Sequence, residues 1–269
     1  MTSLAARVKF STIKVYLCGV QYESLIHGFH TKISSMCKLY YVLRGIRRLH
    51  PHFGSKQRLP ITPSHLRDMN SFLQKSLFSN YDKAMWKCLM LTAFFGLLRV
   101  SEYTCTPTYN HTINLNPLDL TFSKDIVYLN IKASKTDPFR VGFKVRFVKI
   151  GGNLCPVTAL RHYITYRGAE PGPFFILSSG EYVTRKFVSA FLTISLPHAL
   201  NLNTHSFRIG GASAAASCGI PDSAIKILGR WSSDCYRRYI HLSDNVMKEW
   251  CSKIADLNGV TKIWDTKLL

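Results

Sequence analysis

The chain has 269 residues, 46% of them apolar, with a mean hydropathy of +0.02. This length allows one large domain or a small domain followed by a larger one, and the apolar share excludes a disordered chain. The 35 Lys and Arg residues outnumber the 15 Asp and Glu residues, giving a formal net charge of +20, whereas soluble domains usually carry about 2 to 8 charges in magnitude. The excess favours a polyanionic partner: nucleic acid first, and an anionic membrane surface second.

The eight cysteines are scattered, with neither a Cys-x-x-Cys pair nor regular spacing. This pattern excludes zinc-finger spacing and a disulfide framework, and it predicts buried, reduced thiols. No apolar run reaches the roughly 18 residues that a membrane-spanning helix requires, so we do not expect a membrane partner.

Residues 11–50 combine helical periodicity with a concentrated positive charge. The predicted apolar stripe consists of Ile33, Cys37, Tyr40, Leu43 and Ile46. Five basic residues occupy the other side, and we predict that they contact DNA: Lys32, Lys38, Arg44, Arg47 and Arg48. Glu23 is the only acidic residue before position 60, whereas a merely solvated helix face normally mixes both signs.

A linker separates this region from the rest of the chain. Residues 51–63 hold three prolines, one glycine and no periodicity, which predicts a domain boundary near residue 60. Residues 1–60 are expected to be a small, basic helical domain, N-terminally truncated because it is short for a complete helical bundle, and residues 61–269 a second domain. Thr62 and Pro63 are predicted to start its first helix as N-cap and first helical residue. The predicted buried positions of that helix are Leu66, Met69, Leu73 and Leu77.

Residues 81–98 are apolar on nearly every side, which predicts a central helix buried all round. The sequence Arg99-Val100-Ser101-Glu102 follows directly. Arg99 therefore places a charge directly after the C-terminal end of a buried helix. Two interpretations stay open: a functional cation, or a structural contact with Glu102.

A small antiparallel sheet is predicted next. Two segments alternate apolar residues with others, at Val127, Leu129 and Ile131 and at Phe143, Val145 and Phe147. The residues between them have turn chemistry and place Lys135 at or near a turn. Helices are predicted again at 156–167 and 184–196, after Pro221, and from Ser243 or Asp244 onward.

The C-terminal part concentrates cations, an imidazole and phenols. His205 and Arg208 lie three residues apart at the start of a helix that ends at Gly219. This helix is rich in small residues over 210–216, so we expect it to pack closely. A neutral imidazole beside a fixed cation suits an anionic phosphate, so this segment indicates phosphoryl transfer on nucleic acid. Further groups follow it: Gly229, Arg230, Trp231, Tyr236 and Tyr239.

Taken in order, these features resemble the tyrosine recombinase, or phage-integrase-like, superfamily. The resemblance covers most of residues 64–245, and residues 11–60 resemble part of that family's helical, SAM-like core-binding domain. The local wording is similar to recombinases of DIRS- and Ngaro-type retrotransposons at three places: Ser134-Lys135-Thr136-Asp137, His205-Ser206-Phe207-Arg208-Ile209-Gly210 and Leu228-Gly229-Arg230-Trp231. The resemblance implies a mainly α fold with a small antiparallel sheet (α+β), in which a recombinase catalytic domain follows a partial core-binding domain.

The resemblance also implies a mechanism. Tyr239 would attack a DNA phosphodiester to leave a 3′-phosphotyrosine, and Arg99 and Arg208 would bind the non-bridging oxygens. Lys135 would protonate the departing 5′-oxygen, and His205 would assist proton removal from the phenol. No cofactor or metal is implied. The implied partners are double-stranded DNA and like subunits, in dimers or tetramers, and the compartment is the nucleus in a eukaryote or otherwise the cytoplasm.

Two assignments depart from the commonest family pattern, which has His or Trp nine residues before the tyrosine. Counting back from Tyr239 reaches Arg230, while Trp231 lies eight residues away. We assign Trp231 to the site through its indole N–H, and Arg230 stays open as a third phosphate ligand. Tyr236 stays open as the alternative nucleophile.

Two alternatives to an active recombinase remain at this level. The short front domain is compatible with a catalytically idle DNA-binding remnant, because enclosing a duplex takes both domains. The pattern of residues 204–239 also resembles the helix-turn-helix motif of a DNA-binding regulator. That interpretation leaves Arg99 and Lys135 without a role.

Overall fold

A computed structural model describes residues 5–30, 32–49, 58–135, 137–240, 247–248 and 251–252, with the backbone alone for Arg238 and Tyr239. The chain divides into two compact units, residues 1–57 and residues 58–269. Within the described ranges no helix is long and apolar enough to span a membrane. The helix predicted from Ser243 or Asp244 falls largely outside the described residues.

Among its described residues, the first unit has the helices α1 (Phe10–Ile26) and α2 (Cys37–Leu49), with a 3₁₀ turn at Ile33–Ser35 between them. Both helices fall within the region whose sequence pattern is helical, and residues 27–30 after α1 are not helical. Gly28 lies just past the end of α1 with φ at +79°, a left-handed conformation that glycine adopts without steric cost and that commonly ends helices.

The apolar stripe of α2 is also only partly as predicted. Leu43 and Ile46 pack with Ile13 of α1 in a small core, but Cys37 and Tyr40 are exposed. The Tyr40 ring instead lies in solvent beside the Arg44 guanidinium, whose carbon is 5.6 Å from the ring centroid. Successive three-residue steps rotate around a helix of 3.6 residues per turn by about 60° each, so Tyr40 and then Cys37 lie progressively farther from the face that carries Leu43 and Ile46.

The five basic residues predicted to contact DNA are all exposed. Arg44, Arg47 and Arg48 are three and four residues apart, so they share one face of α2. Lys38 lies on another side of the same helix, and Lys32 precedes the 3₁₀ turn. The positive surface is therefore distributed over more than one helical face.

The second unit is built around α4 (Asn80–Phe95), which is buried over most of its length. Three other helices pack against it: α3 (Pro63–Lys75), α6 (Pro156–Arg167) and α8 (Ser206–Ser217). A helix that contacts neighbours on several sides needs apolar residues on nearly every face, which is the pattern of the 81–98 sequence.

The start of α3 is confirmed as predicted. Thr62 Oγ1 accepts the His65 N–H at 3.3 Å, His65 Nδ1 accepts the Thr62 N–H at 3.2 Å, and Pro63 is the first helical residue. Leu66, Met69 and Leu73 are buried, but the prediction for Leu77 is wrong, since its side chain is fully exposed. The reason is that α3 ends at Lys75 and Ser76 is extended, so the helical period stops before Leu77.

Three antiparallel strands form one sheet in the order β1 (Leu120–Phe122), β2 (Ile126–Ile131), β3 (Phe143–Val148). The predicted inward residues of β2 are all buried, as are Val145 and Phe147 of β3, but Phe143 is 42% exposed at the start of β3. Residues 132–142 connect β2 to β3 and carry Lys135; we call this connection the β2–β3 loop. Strand β1 has only three residues, too few for alternation to predict it.

The remaining elements are α5 (Val100–Tyr103), 3₁₀ helices at Pro117–Asp119 and Asp234–Tyr239, α7 (Arg185–Ser195) and α9 (Asp222–Leu228). The small residues of α8 allow close packing, as expected. A methyl group at Gly210 would lie 1.9 Å from the carbonyl oxygen of Ile61, and one at Gly211 would lie 2.4 Å from that of Phe94. Helix α8 therefore approaches α4 and the start of α3 at backbone contact distance.

All eight cysteines are free thiols. Cys88, Cys105 and Cys155 are buried, but four others are exposed, so the prediction of uniformly buried thiols is wrong. The exposed ones are Cys18, Cys37, Cys218 and Cys251. Cysteine burial follows the face of the element on which the residue lies, and the residue type alone does not reveal that face.

Candidate active site

Arg208 lies at the start of α8 and is 1% exposed. Its Nη1 donates to the carbonyl oxygen of Leu97, and its Nη2 donates to that of Gly229 at 2.5 Å. Leu97 follows the C-terminal end of α4, where peptide carbonyls carry partial negative charge and attract cations. The fold thus fixes this guanidinium deep between the end of α4 and the segment that follows α9.

Trp231 supports Arg208 from one side. Its ring centroid lies 4.2 Å from the Arg208 guanidinium carbon, a cation–π contact that is stronger when water is excluded. A methyl group at Gly229 would lie 1.6 Å from the Trp231 ring, so only glycine fits before this Arg-Trp pair. The contact seen here uses the face of the indole.

Glu102 is a carboxylate shared by two arginines, and its side chain is fully buried. Oε1 accepts from Arg99 Nη1 at 2.9 Å, while Oε2 accepts from Arg230 Nη2 and from the Arg99 backbone N–H, both at 2.9 Å. Burial by itself would raise the pKa of Glu102, but the charges of Arg230 and Arg99 and the hydrogen bonds from Arg99 outweigh it and hold that pKa below its ordinary value. The carboxylate is therefore ionised at neutral pH.

Arg99 connects this carboxylate to the β2–β3 loop. Its Nη1 also donates to Ser134 Oγ at 2.7 Å, and its side chain is 16% exposed. Lys135, the next residue in the loop, is exposed. The structural contact between Arg99 and Glu102 is present. It leaves the Arg99 guanidinium partly exposed beside the loop that carries Lys135.

Arg230 points inward. Its Nη1 donates to the carbonyl oxygens of Gly96 at 3.0 Å and Leu228 at 3.3 Å, and its Nη2 donates to that of Leu97 at 3.1 Å as well as to Glu102. The side chain is only 8% exposed, and the guanidinium carbon lies 5.4 Å from the centroid of the Phe143 ring. The Leu97 carbonyl thus accepts from both Arg208 and Arg230.

His205 is the N-cap residue of α8 and is partly buried. Burial, followed by the positive charges of Arg208, Arg58, Arg99 and Arg185, lowers its pKa to about 4. The imidazole is therefore neutral at pH 7.

Arg58 and Arg185 were not singled out in the sequence. Arg185 is the first residue of α7, and Arg58 precedes a segment whose Ile61 N–H donates to the Ser206 carbonyl oxygen at 3.0 Å. Both are exposed and act electrostatically on His205. No sequence spacing joins them to His205, since only the tertiary fold brings them together.

The two tyrosines differ in what the structure describes. Tyr236 is 2% exposed, its hydroxyl donates to Asp222 Oδ2 at 3.1 Å, and its ring packs on Trp231 with 5.8 Å between centroids. Tyr239 is the last residue of the 3₁₀ helix Asp234–Tyr239, but its side chain lies outside the described residues. The assignment of Tyr239 as nucleophile stays a prediction.

Three of the predicted site residues, Arg99, Arg208 and Trp231, thus meet around the segment from Gly96 to Glu102. Arg208 and Arg230 bind its carbonyl oxygens, Glu102 joins Arg230 to Arg99, Trp231 packs on Arg208, and Ser134 brings the β2–β3 loop to Arg99. Within the described ranges, no cluster of three or more His, Cys, Asp or Glu residues could hold a metal ion.

No protein-family model matches the chain, and no curated protein matches it in sequence. Solved structures share its fold at low identity. XerA recombinase superposes with a TM-score of 0.54 at 12% identity, over 93% of this chain and 84% of that chain. A lambda integrase dimer bound to a COC′ core site gives 0.54 at 15% identity, over 86% of this chain and 58% of that chain.

XerH site-specific recombinase, in a post-cleavage complex with a palindromic difH substrate, gives a TM-score of 0.54 at 15% identity. The match covers 74% of this chain and 54% of that chain, so the chain spans about half the length of this neighbour. The chain has the mainly helical fold, with a small three-stranded antiparallel sheet, of tyrosine recombinase catalytic domains. The predicted fold class is confirmed.

Proposed function

We propose that the protein is a tyrosine recombinase that breaks and rejoins DNA through a 3′-phosphotyrosine intermediate. The observation that carries the proposal is the meeting of Arg99, Arg208 and the neutral His205 in one basic region next to the loop that carries Lys135. The likeness of fold adds support, and the identity of the nucleophile rests on sequence spacing.

The proposed cleavage exchanges one phosphate ester bond for another. The Tyr239 phenolic oxygen forms a bond to phosphorus, the bond between phosphorus and the 5′-oxygen breaks, and the phenolic proton passes to neutral His205. The leaving 5′-oxygen takes a proton from Lys135. Rejoining is the same sequence in reverse, so no external energy source is needed.

The two arginines would stabilise the charge that develops on the non-bridging oxygens. The bonds described above use Nη1 and the backbone N–H of Arg99, and a guanidinium has five N–H donors, so Nη2 and Nε can serve a phosphate. Donors aimed at developing charge typically supply about 3–4 kcal/mol each. Two fixed cations on one phosphate are the basis for proposing a metal-independent, cofactor-free reaction.

The partners follow from this chemistry. Double-stranded DNA is the proposed substrate, with the exposed basic residues of the first unit as further contacts, and subunits are proposed to assemble on it as dimers or tetramers. A core-binding role for residues 1–60, a mobile-element origin of the DIRS or Ngaro type, and a nuclear site of action in a eukaryote, or a cytoplasmic one otherwise, are proposed from the sequence resemblance.

One observation favours a catalytically idle DNA-binding remnant as the second candidate. The position nine residues before Tyr239 is Arg230, whose guanidinium is buried against Glu102, where family members usually have His or Trp. The helix-turn-helix alternative has less support, because α8 is buried over most of its length and α9 has only seven residues.

A covalent-capture selection tests the proposal without a known target sequence. Duplexes with one nick and randomised flanks are incubated with the protein, and detergent-resistant protein–DNA complexes are isolated and sequenced over successive rounds. We expect wild-type protein to enrich a sequence in covalent form. DNA binding that never survives denaturation would overturn the recombinase proposal and favour the remnant.

A further inference from the structure

Arg230 is linked to Arg99 through Glu102, and it lies against Phe143, the residue that follows the β2–β3 loop. We propose that Arg230 is a positioning residue that holds the Arg99 guanidinium and the loop carrying Lys135 in a fixed relation, and does not itself bind the phosphate. The roles of Arg99 and Lys135 in this inference rest on the proposed function; the mechanical link does not.

The first link runs through Glu102. Its Oε2 accepts from Arg230 Nη2 and from the Arg99 backbone N–H, and its Oε1 accepts from Arg99 Nη1, each at 2.9 Å. Since the carboxylate is fully buried, it cannot exchange a lost partner for water, and an unpaired buried charge is costly. Loss of Arg230 therefore forces Glu102 to reorient, and Arg99 moves with it.

The second link runs through the loop. Arg230 lies against Phe143, the first residue after the loop, and Arg99 donates to Ser134 near the other end of the loop. Between these contacts is a cavity of about 110 Å³, lined by Ile131, Ser134, Asp137, Gly142, Phe143 and Arg230. Arg230 thus lines this cavity together with residues from both ends of the β2–β3 loop.

The loop itself is held by a carboxylate. Asp137 accepts the N–H groups of Val141 at 3.1 Å and Gly142 at 2.8 Å. Gly142 has a φ of +77°, and a methyl group there would lie 3.0 Å from the Ile131 carbonyl oxygen. These internal hydrogen bonds make the loop stiff. The contacts at Ser134 and at Phe143, the residue after the loop, therefore determine where Lys135 lies.

The Nη donors of Arg230 are directed at acceptors inside the fold. Nη1 and Nη2 together serve three carbonyl oxygens and one carboxylate oxygen, and Nε is buried with no hydrogen-bond partner. The backbone of Arg230 has φ at +56°, a region that non-glycine residues occupy rarely and at a cost. This conformation persists because the surrounding contacts hold the side chain inward, as a positioning role requires.

The test compares Arg230→Gln with Arg230→Lys and with Ser134→Ala, which removes only the contact from Arg99 to the loop. Hydrogen exchange of the full chain measures the link without any catalysis. We expect faster exchange in residues 132–142 in Arg230→Gln and in Ser134→Ala, a partial return toward wild type in Arg230→Lys, and no change in α3. Unchanged loop exchange in Arg230→Gln would overturn the inference, whatever Ser134→Ala and the DNA assays show.

A second readout uses the DNA selected by covalent capture, made with either oxygen or sulfur as the 5′ bridging atom. A thiol with a pKa near about 8.5 leaves without prior protonation, so the sulfur substrate does not need Lys135. A misplacement of about 1 Å typically costs about a hundredfold in rate. We expect Arg230→Gln to lose about that factor in covalent capture on the oxygen substrate, with little change in half-saturating DNA concentration, and to regain part of it on sulfur.

The outcomes separate the two proposals. A loss in Arg230→Gln confined to DNA affinity, with an unchanged capture rate at saturating DNA, would make Arg230 a phosphate ligand and overturn the positioning role. Absence of any covalent complex with wild-type protein would refute the recombinase proposal alone, because the exchange measurement still decides whether Arg230 holds the loop. Phe143→Leu removes the ring beside the Arg230 guanidinium and keeps the test decisive if Arg230→Gln fails to fold, because unchanged loop exchange in Phe143→Leu would also overturn the inference.

Discussion

Replacing Glu102 by Gln preserves the shape of the side chain and removes the negative charge between Arg99 and Arg230. Each arginine–carboxylate pair contributes on the order of 4 kcal/mol at an effective dielectric constant of about 20. Desolvation of the ions offsets a large part of this sum, while removing one member of a buried pair typically costs about 3–5 kcal/mol. We therefore expect Glu102→Gln to lose about 3–5 kcal/mol of unfolding free energy, at the lower end if the amide oxygen retains one hydrogen bond.

Urea unfolding followed by circular dichroism measures this loss. With a denaturant slope of about 2 kcal/mol per molar urea, the midpoint should fall by roughly 1.5–2.5 M. The matched control is Asp125→Asn, which neutralises a carboxylate 3.7 Å from Lys149 where both side chains are about half exposed, and surface pairs of this kind contribute about 0–1 kcal/mol. Equal midpoints for the two variants would refute the reasoning.

The difference in unfolding free energy between wild type and Glu102→Gln should also depend on pH, which provides a second check. The folded-state pKa of Glu102 is held below its ordinary value of 4.5, so the folded chain binds fewer protons here than the unfolded chain. The stabilisation by this carboxylate is therefore complete above about pH 4.5 and is lost as the pH falls through the lowered pKa. The difference in unfolding free energy between wild type and Glu102→Gln should therefore become smaller below pH 4.5. A difference that becomes larger there would contradict the ionised state assigned to Glu102.

Three further predictions concern packing, protonation and DNA affinity. Gly210→Ala places a methyl group 1.9 Å from the Ile61 carbonyl oxygen, so it should lower unfolding free energy by at least about 1–3 kcal/mol, and an unchanged urea midpoint would contradict the close packing. The His205 imidazole should titrate by NMR near pH 4, and since its folded pKa lies below the ordinary 6.5, stability should fall from pH 6.5 toward 4; a midpoint near 6.5 would contradict its burial among cations. Replacing Arg58 and Arg185 together by Ala should reduce the salt dependence of DNA binding by about two phosphate contacts, and an unaltered slope would exclude them from the DNA surface.

Local spacing predicted the elements whose signals are contained in a few adjacent residues. The Thr62-Pro63 start of α3 requires only an N-cap residue and a proline, and the close approach of α8 requires only its run of small residues. Leu77 was predicted wrongly because the end of α3 at Ser76 has no glycine or proline to mark it.

The site depended on contacts that no local pattern contains. Arg230 and Glu102 are 128 residues apart in sequence, and nothing in either segment indicates that they form a buried ion pair. The spacing to Tyr239 left Arg230 open as a phosphate ligand, whereas the fold directs its guanidinium to the carbonyl oxygens at the end of α4. Arg58 and Arg185 likewise become neighbours of His205 only through tertiary structure.

The most direct test of the recombinase proposal is to identify the residue that carries DNA after covalent capture. Trypsin cleaves after Arg237 and Arg238, so Tyr236 and Tyr239 fall in separate peptides that mass spectrometry can assign. The proposal predicts the nucleotide adduct on the Tyr239 peptide, capture by Tyr236→Phe, and none by Tyr239→Phe. An adduct on Tyr236, whose hydroxyl is buried against Asp222, or capture by Tyr239→Phe would contradict it.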